Sequence, residues 1–334
     1  MVDQAAADIP KDLALFTGST MPAVGFGCWK VPKEKTAECV YTAIKQGYRL
    51  LDEACDYGNE KECGEGIKKA IDDGLIKREE LFVTSKLWNT FHKKEHVKPA
   101  FQRTLSDLGL EYLDLYLIHF PISLKYVSPD VRYPPDWLHD PNAEDKKIIE
   151  ELVPMHETWA AMEELVQEGL VKHIGISNMG CVQIRDILSY AKVKPAVLQV
   201  ECHPYLTQDR LIQFAQEQKI AVTGYSSLGA PSYESIGMAQ KNEYCLEEPV
   251  VKTIAEAVGK TPAQVVLRWS LQKGIAIVPK SSVESRIKEN IDLYSFFLSA
   301  DQMAQISALN RNRRFNDPGF YCKAFFNTFY PIYE

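Results

Sequence analysis

Three apolar runs in this sequence end on groups that can handle protons. The run 48–51 stops at Asp52, the run 81–87 carries Lys86 near its end, and the run 113–119 finishes on His119. A phenol, Tyr57, sits in the loop that follows Asp52. A tyrosine with an unperturbed pKa of about 10 is a poor acid at neutral pH. An ammonium at Lys86 would stabilise the phenolate and lower that pKa, and Asp52 would hold the lysine charged and aimed. His119 could donate a hydrogen bond to a substrate oxygen and orient a carbonyl. Such a set suits protonating an alkoxide as it forms, which is the acid half of a carbonyl reduction. It contains no hydride source, so a cofactor is required. Any one of these groups alone reads more readily as a satisfied structural residue; together, at one depth, they favour a site. Asp56, just before Tyr57, is a candidate for contacting a polar substrate.

Later strand ends add Asn178, Gln199 with Glu201, Tyr225 and Lys280. After the last strand, Pro279-Lys280-Ser281-Ser282 leads into a helix carrying Arg286, Glu289 and Asn290, a good seat for phosphate. Arg286 could take an additional 2′-phosphate. An ordinary helix capped by Ser281 or Ser282 is equally compatible. Other motifs have plainer readings. His92-Lys93-Lys94-Glu95-His96 matches an inverted zinc-protease pattern, but without an evident third ligand it reads as a solvated helix start. Cys202-His203 lacks spacing partners for a metal, so no metal site is assigned. Gly25-Phe26-Gly27 and Gly64-Glu65-Gly66 lack the dinucleotide fingerprint and read as turns or close packing. Lys68-Lys69 and Lys146-Lys147 read as exposed faces.

The elements that must position these groups alternate along the chain. A hairpin within 13–27 flows into a strand at 24–29. Strands then follow at 48–51, 81–87, 113–119, 173–177, 197–201, 221–225 and 275–278, each followed by a helical pattern. Mostly continuous apolar strands imply sheet faces covered on both sides. Eight such units predict an α/β fold, a closed (β/α)8 TIM barrel, with a doubly wound sheet as the runner-up. With no linker in view, 1–334 reads as one domain. Segments 123–153 and 226–247 read as long loops, the first as a functional loop or lid, and the tail 310–334 as aromatic and irregular.

The composition narrows the classes further. A net charge of −7 and 46% hydrophobic residues suit a soluble chain with a sizeable core and argue against a nucleic-acid partner. No apolar run reaches the roughly 18 residues that cross a membrane, and the amino terminus lacks a secretion signal. Eight scattered cysteines without a C-x-x-C pair read as reduced thiols, which makes a cytoplasmic location the default.

Several long stretches carry a resemblance. They are 21–30 (MPAVGFGCWK), 47–60 (GYRLLDEACDYGNE), 81–89 (LFVTSKLWN), 114–121 (DLYLIHFP), 174–178 (IGISN), 194–201 (KPAVLQVE) and 277–281 (IVPKS). On these the chain resembles the aldo-keto reductases over nearly its whole length, and within them the fungal-type xylose (aldose) reductases. The resemblance implies a barrel with Asp52, Tyr57, Lys86 and His119 as a catalytic tetrad and Tyr57 as proton donor. It implies NADPH, with NADH as the lesser option, extended over the barrel mouth beside Gly27, Cys28 and Trp29, with its nicotinamide stacked on Tyr225. Ser177, Asn178 and Gln199 would hold the carboxamide, and Ser226, Ser227 and Leu228 would close on the pyrophosphate. Lys280, Ser281, Arg286, Glu289 and Asn290 would grip the 2′-phosphate end. Trp29, Trp88, His119, Phe120 and Asn316 would line the substrate pocket. The implied reaction is reduction of an aldose, D-xylose to xylitol, or of a related aldehyde, by a monomer or homodimer. Ser282 departs from the Asn common in those enzymes, and Cys202 from His. The alternatives are a weakly catalytic, NADPH-binding regulatory barrel and a carboxylate-pair glycosidase; Lys86 and His119 at the strand ends, rather than two acids, count against the second.

Overall fold

The computed structural model describes residues 9–333. The amino-terminal octapeptide, read above for a secretion signal, lies outside the described residues, as does Glu334. A hairpin comes first, β1 (Asp12–Ala14) paired antiparallel with β2 (Thr20–Pro22). Eight parallel strands follow: β3 (Gly25–Gly27), β4 (Leu50–Asp52), β5 (Phe82–Leu87), β6 (Leu113–Ile118), β7 (Val171–Ser177), β8 (Val197–Glu201), β9 (Ala221–Tyr225) and β10 (Ala276–Ile277). Each pairs with the next in sequence order. A parallel bridge between Val24 and Ile277 closes the sheet on itself, supported by Ile277 N–H donating to Ala23 O at 2.9 Å and Gly27 N–H to Pro279 O at 3.2 Å. The barrel is present, and the doubly wound alternative is excluded.

Gly27 shows why glycine occupies that seam. A Cβ there would lie 2.5 Å from the Val278 carbonyl oxygen, well inside contact distance.

The strands are surrounded by α1 (Lys33–Lys45), α2 (Glu60–Asp72), α3 (Lys94–Leu108), α4 (Met155–Gln167), α5 (Cys181–Tyr190) and α6 (Asp209–Glu217). The second half adds α7 (Pro231–Glu234), α8 (Pro249–Val258), α9 (Pro262–Gln272), α10 (Glu284–Ile291), α11 (Ala300–Ser307) and α12 (Pro318–Phe326). Three expectations need correction. The tail is not wholly irregular: Asp317 accepts from Gly319 N–H at 2.8 Å and Pro318 opens α12, an N-cap and first-turn proline pair legible in the sequence. The segment 226–247 contains α7. His92 is not solvated but only 2% exposed, its carbonyl accepting from Thr158 on α4, and burial pushes its pKa down to about 3. Its partner in the zinc-like motif, His96, instead stacks on Tyr126 with ring centroids 3.6 Å apart. The basic pair on α2 behaves as read, with Lys68 and Lys69 bonded to Asp72 and Asp73 on the exposed face. All eight cysteines are free thiols, seven of them buried. No helix among the described residues is long and apolar enough to cross a membrane.

Two-residue alternation along the strands decides what faces the lumen. Leu50, Phe82, Leu115, Leu117, Val197, Ala276 and Val278 form one buried cluster inside the barrel, and Leu15 and Met21 of the hairpin segment pack onto it from the amino-terminal end. Their neighbours Leu51, Val83, Tyr116, Ile118, Leu198, Val222 and Ile277 face outward into the helical layer. The inward parity, continued to the carboxyl ends, places Asp52, Lys86, His119, Ser177, Gln199, Tyr225 and Lys280 around the same mouth.

Candidate active site

That mouth opens into a cleft of about 1130 Å³. It exceeds the roughly 300–1,000 Å³ of ordinary small-molecule pockets, leaving room for an extended ligand beside a small one. Deep in it, Lys86 Nζ makes three hydrogen bonds at once: to Asp52 Oδ1 at 2.8 Å, to the Glu53 carbonyl at 2.9 Å and to the Tyr57 hydroxyl at 3.0 Å. Asp52 is held from its other side by Gln199 Nε2 at 2.6 Å. The ammonium is wholly buried. Its three protons are all used, so its position is fixed.

His119 meets Tyr57 edge to face, with centroids 5.9 Å apart. Its Nδ1 lies 3.0 Å from Asp56 Oδ1 but out of line for a hydrogen bond, and no protein group bonds its Nε2 among the described residues. The expected acidification of Tyr57 is reversed. Burial pushes the phenol well above its usual range, and Asp52, Asp56 and Glu53 push it further. The physical reason is that the Lys86 charge is already matched by Asp52, leaving little to offset desolvation.

Three non-glycine residues on the cleft wall, Lys30, Asn178 and Ser226, adopt left-handed backbone. Such conformations collect where a scaffold must aim a side chain. Asn178 is one end of a network: its Nδ2 donates to the His119 carbonyl at 2.8 Å, and its Oδ1 accepts from Tyr225 at 2.6 Å and from Tyr333 at 3.2 Å. Asn316 Nδ2 donates to the Tyr225 hydroxyl at 3.1 Å. Glu201 places this tail: its carboxylate accepts from Phe315 and Asn316 N–H, each at 2.8 Å, and contacts His203 at 2.8 Å. Burial acts to raise the Glu201 pKa, but the His203 hydrogen bond and charge hold it below its usual value. The Glu201-Cys202-His203 run is therefore a clamp on the tail.

At the far end of the cleft stand Lys30, Lys280 and Arg286, none of them in an ion pair among the described residues. Burial lowers the Lys280 pKa, and burial together with the Lys280 charge brings Lys30 down to about 8. Cations held so close without a carboxylate fit a polyanion, as the phosphates of NADPH require. Ser281, Glu289 and Asn290 border the same end; Ser281 Oγ accepts from Val283 N–H, and Glu289 accepts from Thr261. The fit to a phosphorylated dinucleotide is good.

A comparison of sequences agrees with this geometry. The Aldo/keto reductase family model matches residues 20–311. The chain belongs to the aldo/keto reductase family. It is 52% identical over 306 residues to a protein of Aspergillus clavatus named probable NAD(P)H-dependent D-xylose reductase, covering 91% of this chain and 92% of that one. A similarly named protein of Emericella nidulans is 51% identical over 93% of this chain and 97% of its own length. The NAD(P)H-dependent D-xylose reductase of Pyricularia oryzae is 50% identical over 92% of this chain and 95% of its own.

Within this reductase barrel, the residues singled out from sequence line the cleft with two exceptions besides Glu201, which clamps the tail. Gly27, Trp29, Asp52, Asp56, Tyr57, Trp88, His119, Phe120, Ser177, Asn178, Gln199, Tyr225, Ser226, Ser227, Leu228, Lys280, Ser281, Arg286, Glu289, Asn290 and Asn316 border it. Lys86 lies behind Tyr57 and reaches the cleft through that hydroxyl. Cys28 is the other: its thiol is fully buried beside Glu53 and Cys63, away from the mouth. Sequence reasoning missed Lys30, Trp137, Tyr233, Phe326 and Tyr333. Lys30 follows directly on the strand read from sequence at 24–29 and could have been found there. Trp137, packed on Trp88 with centroids 5.1 Å apart, comes from the long excursion, and nothing local marks it.

Proposed function

We propose that this aldo/keto reductase reduces an open-chain aldose, D-xylose to xylitol, or a related aldehyde, using NADPH in preference to NADH. The observation that carries the proposal is the single buried ammonium of Lys86 bonded at once to Asp52 and to the Tyr57 phenol at the floor of an aromatic cleft. The cofactor, held by Lys30, Lys280 and Arg286 at its phosphates, would supply the hydride for the carbonyl carbon. Tyr57 gives its proton to the carbonyl oxygen as negative charge develops there. Its raised pKa keeps it protonated at neutral pH, and an alkoxide is basic enough to take the proton. Lys86 stabilises the phenolate left behind, and Asp52 with Gln199 keeps the lysine aimed. His119 Nε2 orients the same oxygen, while Asp56 stands against Nδ1. Trp29, Trp88, Phe120 and Trp137 exclude water, and Asp56 and Asn316 offer polar contacts to a sugar chain. Lys30, Lys280 and Arg286 hold the phosphates.

The names of the relatives support the sugar and the cofactor pair. Measuring kcat/KM over aldoses, keto-sugars and aromatic aldehydes with each cofactor tests the assignment. Tyr57→Phe should lose about 10²- to 10⁴-fold in kcat while NADPH still binds; full turnover by that variant would sink the proposal.

A further inference from the structure

One residue at the tetrad has no part in the scheme above. Glu53 follows Asp52 directly, yet its side chain turns away from the cleft and is wholly buried. Its carboxyl oxygens lie among the thiols of Cys28 at the end of β3 and Cys63 on α2, with ligating atoms of all three within 4.8 Å of one another. Ala54 N–H donates to Oε2 at 3.2 Å, and Oε1 has no hydrogen-bond partner among the described residues. The backbone carbonyl of the same residue accepts from Lys86 Nζ at 2.9 Å. A carboxyl buried among thiols with a single backbone donor favours its neutral form. The charged groups that face it are Glu60 on α2, which opposes its ionisation, and Lys86 on β5, which favours it. Burial first, then Glu60, carry its pKa up to about 8; Glu60 is buried too, and burial brings its own pKa up to about 7, so it ionises just before Glu53 does.

We propose that Glu53 is a positioning residue for the proton donor: as a neutral acid it leaves the field of Lys86 intact at Tyr57, and on ionising it weakens that field. Electrostatic coupling runs along this line, since a Glu53 carboxylate acts to hold the proton on Tyr57. A more tightly held phenol proton is delivered more slowly to a developing alkoxide. Reduction is therefore fast below the Glu53 titration and slower above it, although Glu53 touches neither substrate nor cofactor. This inference rests on the reductase assignment above.

The test is the pH dependence of kcat/KM for aldehyde reduction, which reports groups in the free enzyme. Wild type should fall through an alkaline inflection near pH 8. Glu53→Gln mimics the neutral acid, so it should stay within about twofold of wild type at pH 6 and carry the decline at least about one pH unit higher. Glu53→Met serves the same purpose if the glutamine variant is insoluble. Glu53→Asp should retain an alkaline inflection. Infrared spectra of the cofactor-free protein at neutral pH should lose part of the protonated-carboxyl C=O absorption in Glu53→Gln, the contribution of the neighbouring buried Glu60 remaining. Superimposable profiles for wild type and Glu53→Gln, or a uniform loss at every pH, would overturn the inference while the reductase assignment stands. A wild type with no aldehyde reduction would overturn that assignment instead.

Discussion

Replacing Lys86 by methionine probes the group on which the site is built. The side chain is 0% exposed and donates to Asp52, to the Glu53 carbonyl and to Tyr57. Without it, the Asp52 carboxylate keeps Gln199 as its only side-chain donor among the described residues, in a site that is 4% exposed. Breaking a buried ion pair by removing one partner costs about 3–5 kcal/mol, because the remaining charge is uncompensated. Asp52→Asn leaves Lys86 in the same position and should cost a comparable amount. The double variant removes both charges, and neutral groups of similar volume often substitute for a buried pair at little net loss. Its destabilisation should fall short of the sum of the singles by at least about 3 kcal/mol, far above the roughly 0.3–0.5 kcal/mol scatter of independent sites. Urea unfolding followed by tryptophan fluorescence gives all four stabilities. Additivity within that scatter would show that no strong ion pair exists there, and the electrostatic account of the tetrad would fail with it.

Arg286→Ala removes a charge-assisted contact worth about 1.5–3 kcal/mol, so fluorescence titration should show roughly 10- to 100-fold weaker NADPH binding with little change for NADH; equal losses would refute the 2′-phosphate role. Gly27→Ala places a Cβ 2.5 Å from the Val278 carbonyl at the barrel seam, and overpacking of this kind costs about 1–3 kcal/mol; an unchanged urea midpoint would contradict the close approach. Glu53 binds its proton more tightly when folded, with a pKa of about 8 against 4.5 as the reference. Between those values the folded state holds a proton that the unfolded state has released, so stability falls as pH rises, by up to about 1.4 kcal/mol per pH unit, and levels off above about pH 8. The stability of Glu53→Gln relative to wild type should therefore climb from pH 5 to pH 8, and a difference independent of pH would exclude a buried titrating carboxyl.

The sequence by itself determined the alternation of strands and helices, and with it the barrel, because each element buries a continuous apolar face whose period is local. It also marked Asp52, Lys86 and His119, since a polar group at the end of an apolar strand is conspicuous in one dimension. The helix α12 was legible too, in the Asp317-Pro318 pair, but the surrounding aromatic residues hid it. Tertiary structure decided the rest. Inward parity around a closed sheet brings residues as distant as Asp52 and Gln199 within 2.6 Å, and no local pattern encodes that meeting. Trp137 and Phe326 reach the cleft from an irregular excursion and from the tail, so their place depends on what they pack against. The sign of the Tyr57 shift also lay beyond the sequence: it is set by how much water is excluded and by how fully Asp52 already matches Lys86. Glu53, one residue from the tetrad and facing the opposite way, carries no local mark in the sequence and becomes a buried acid only once β3, β4 and α2 close around it.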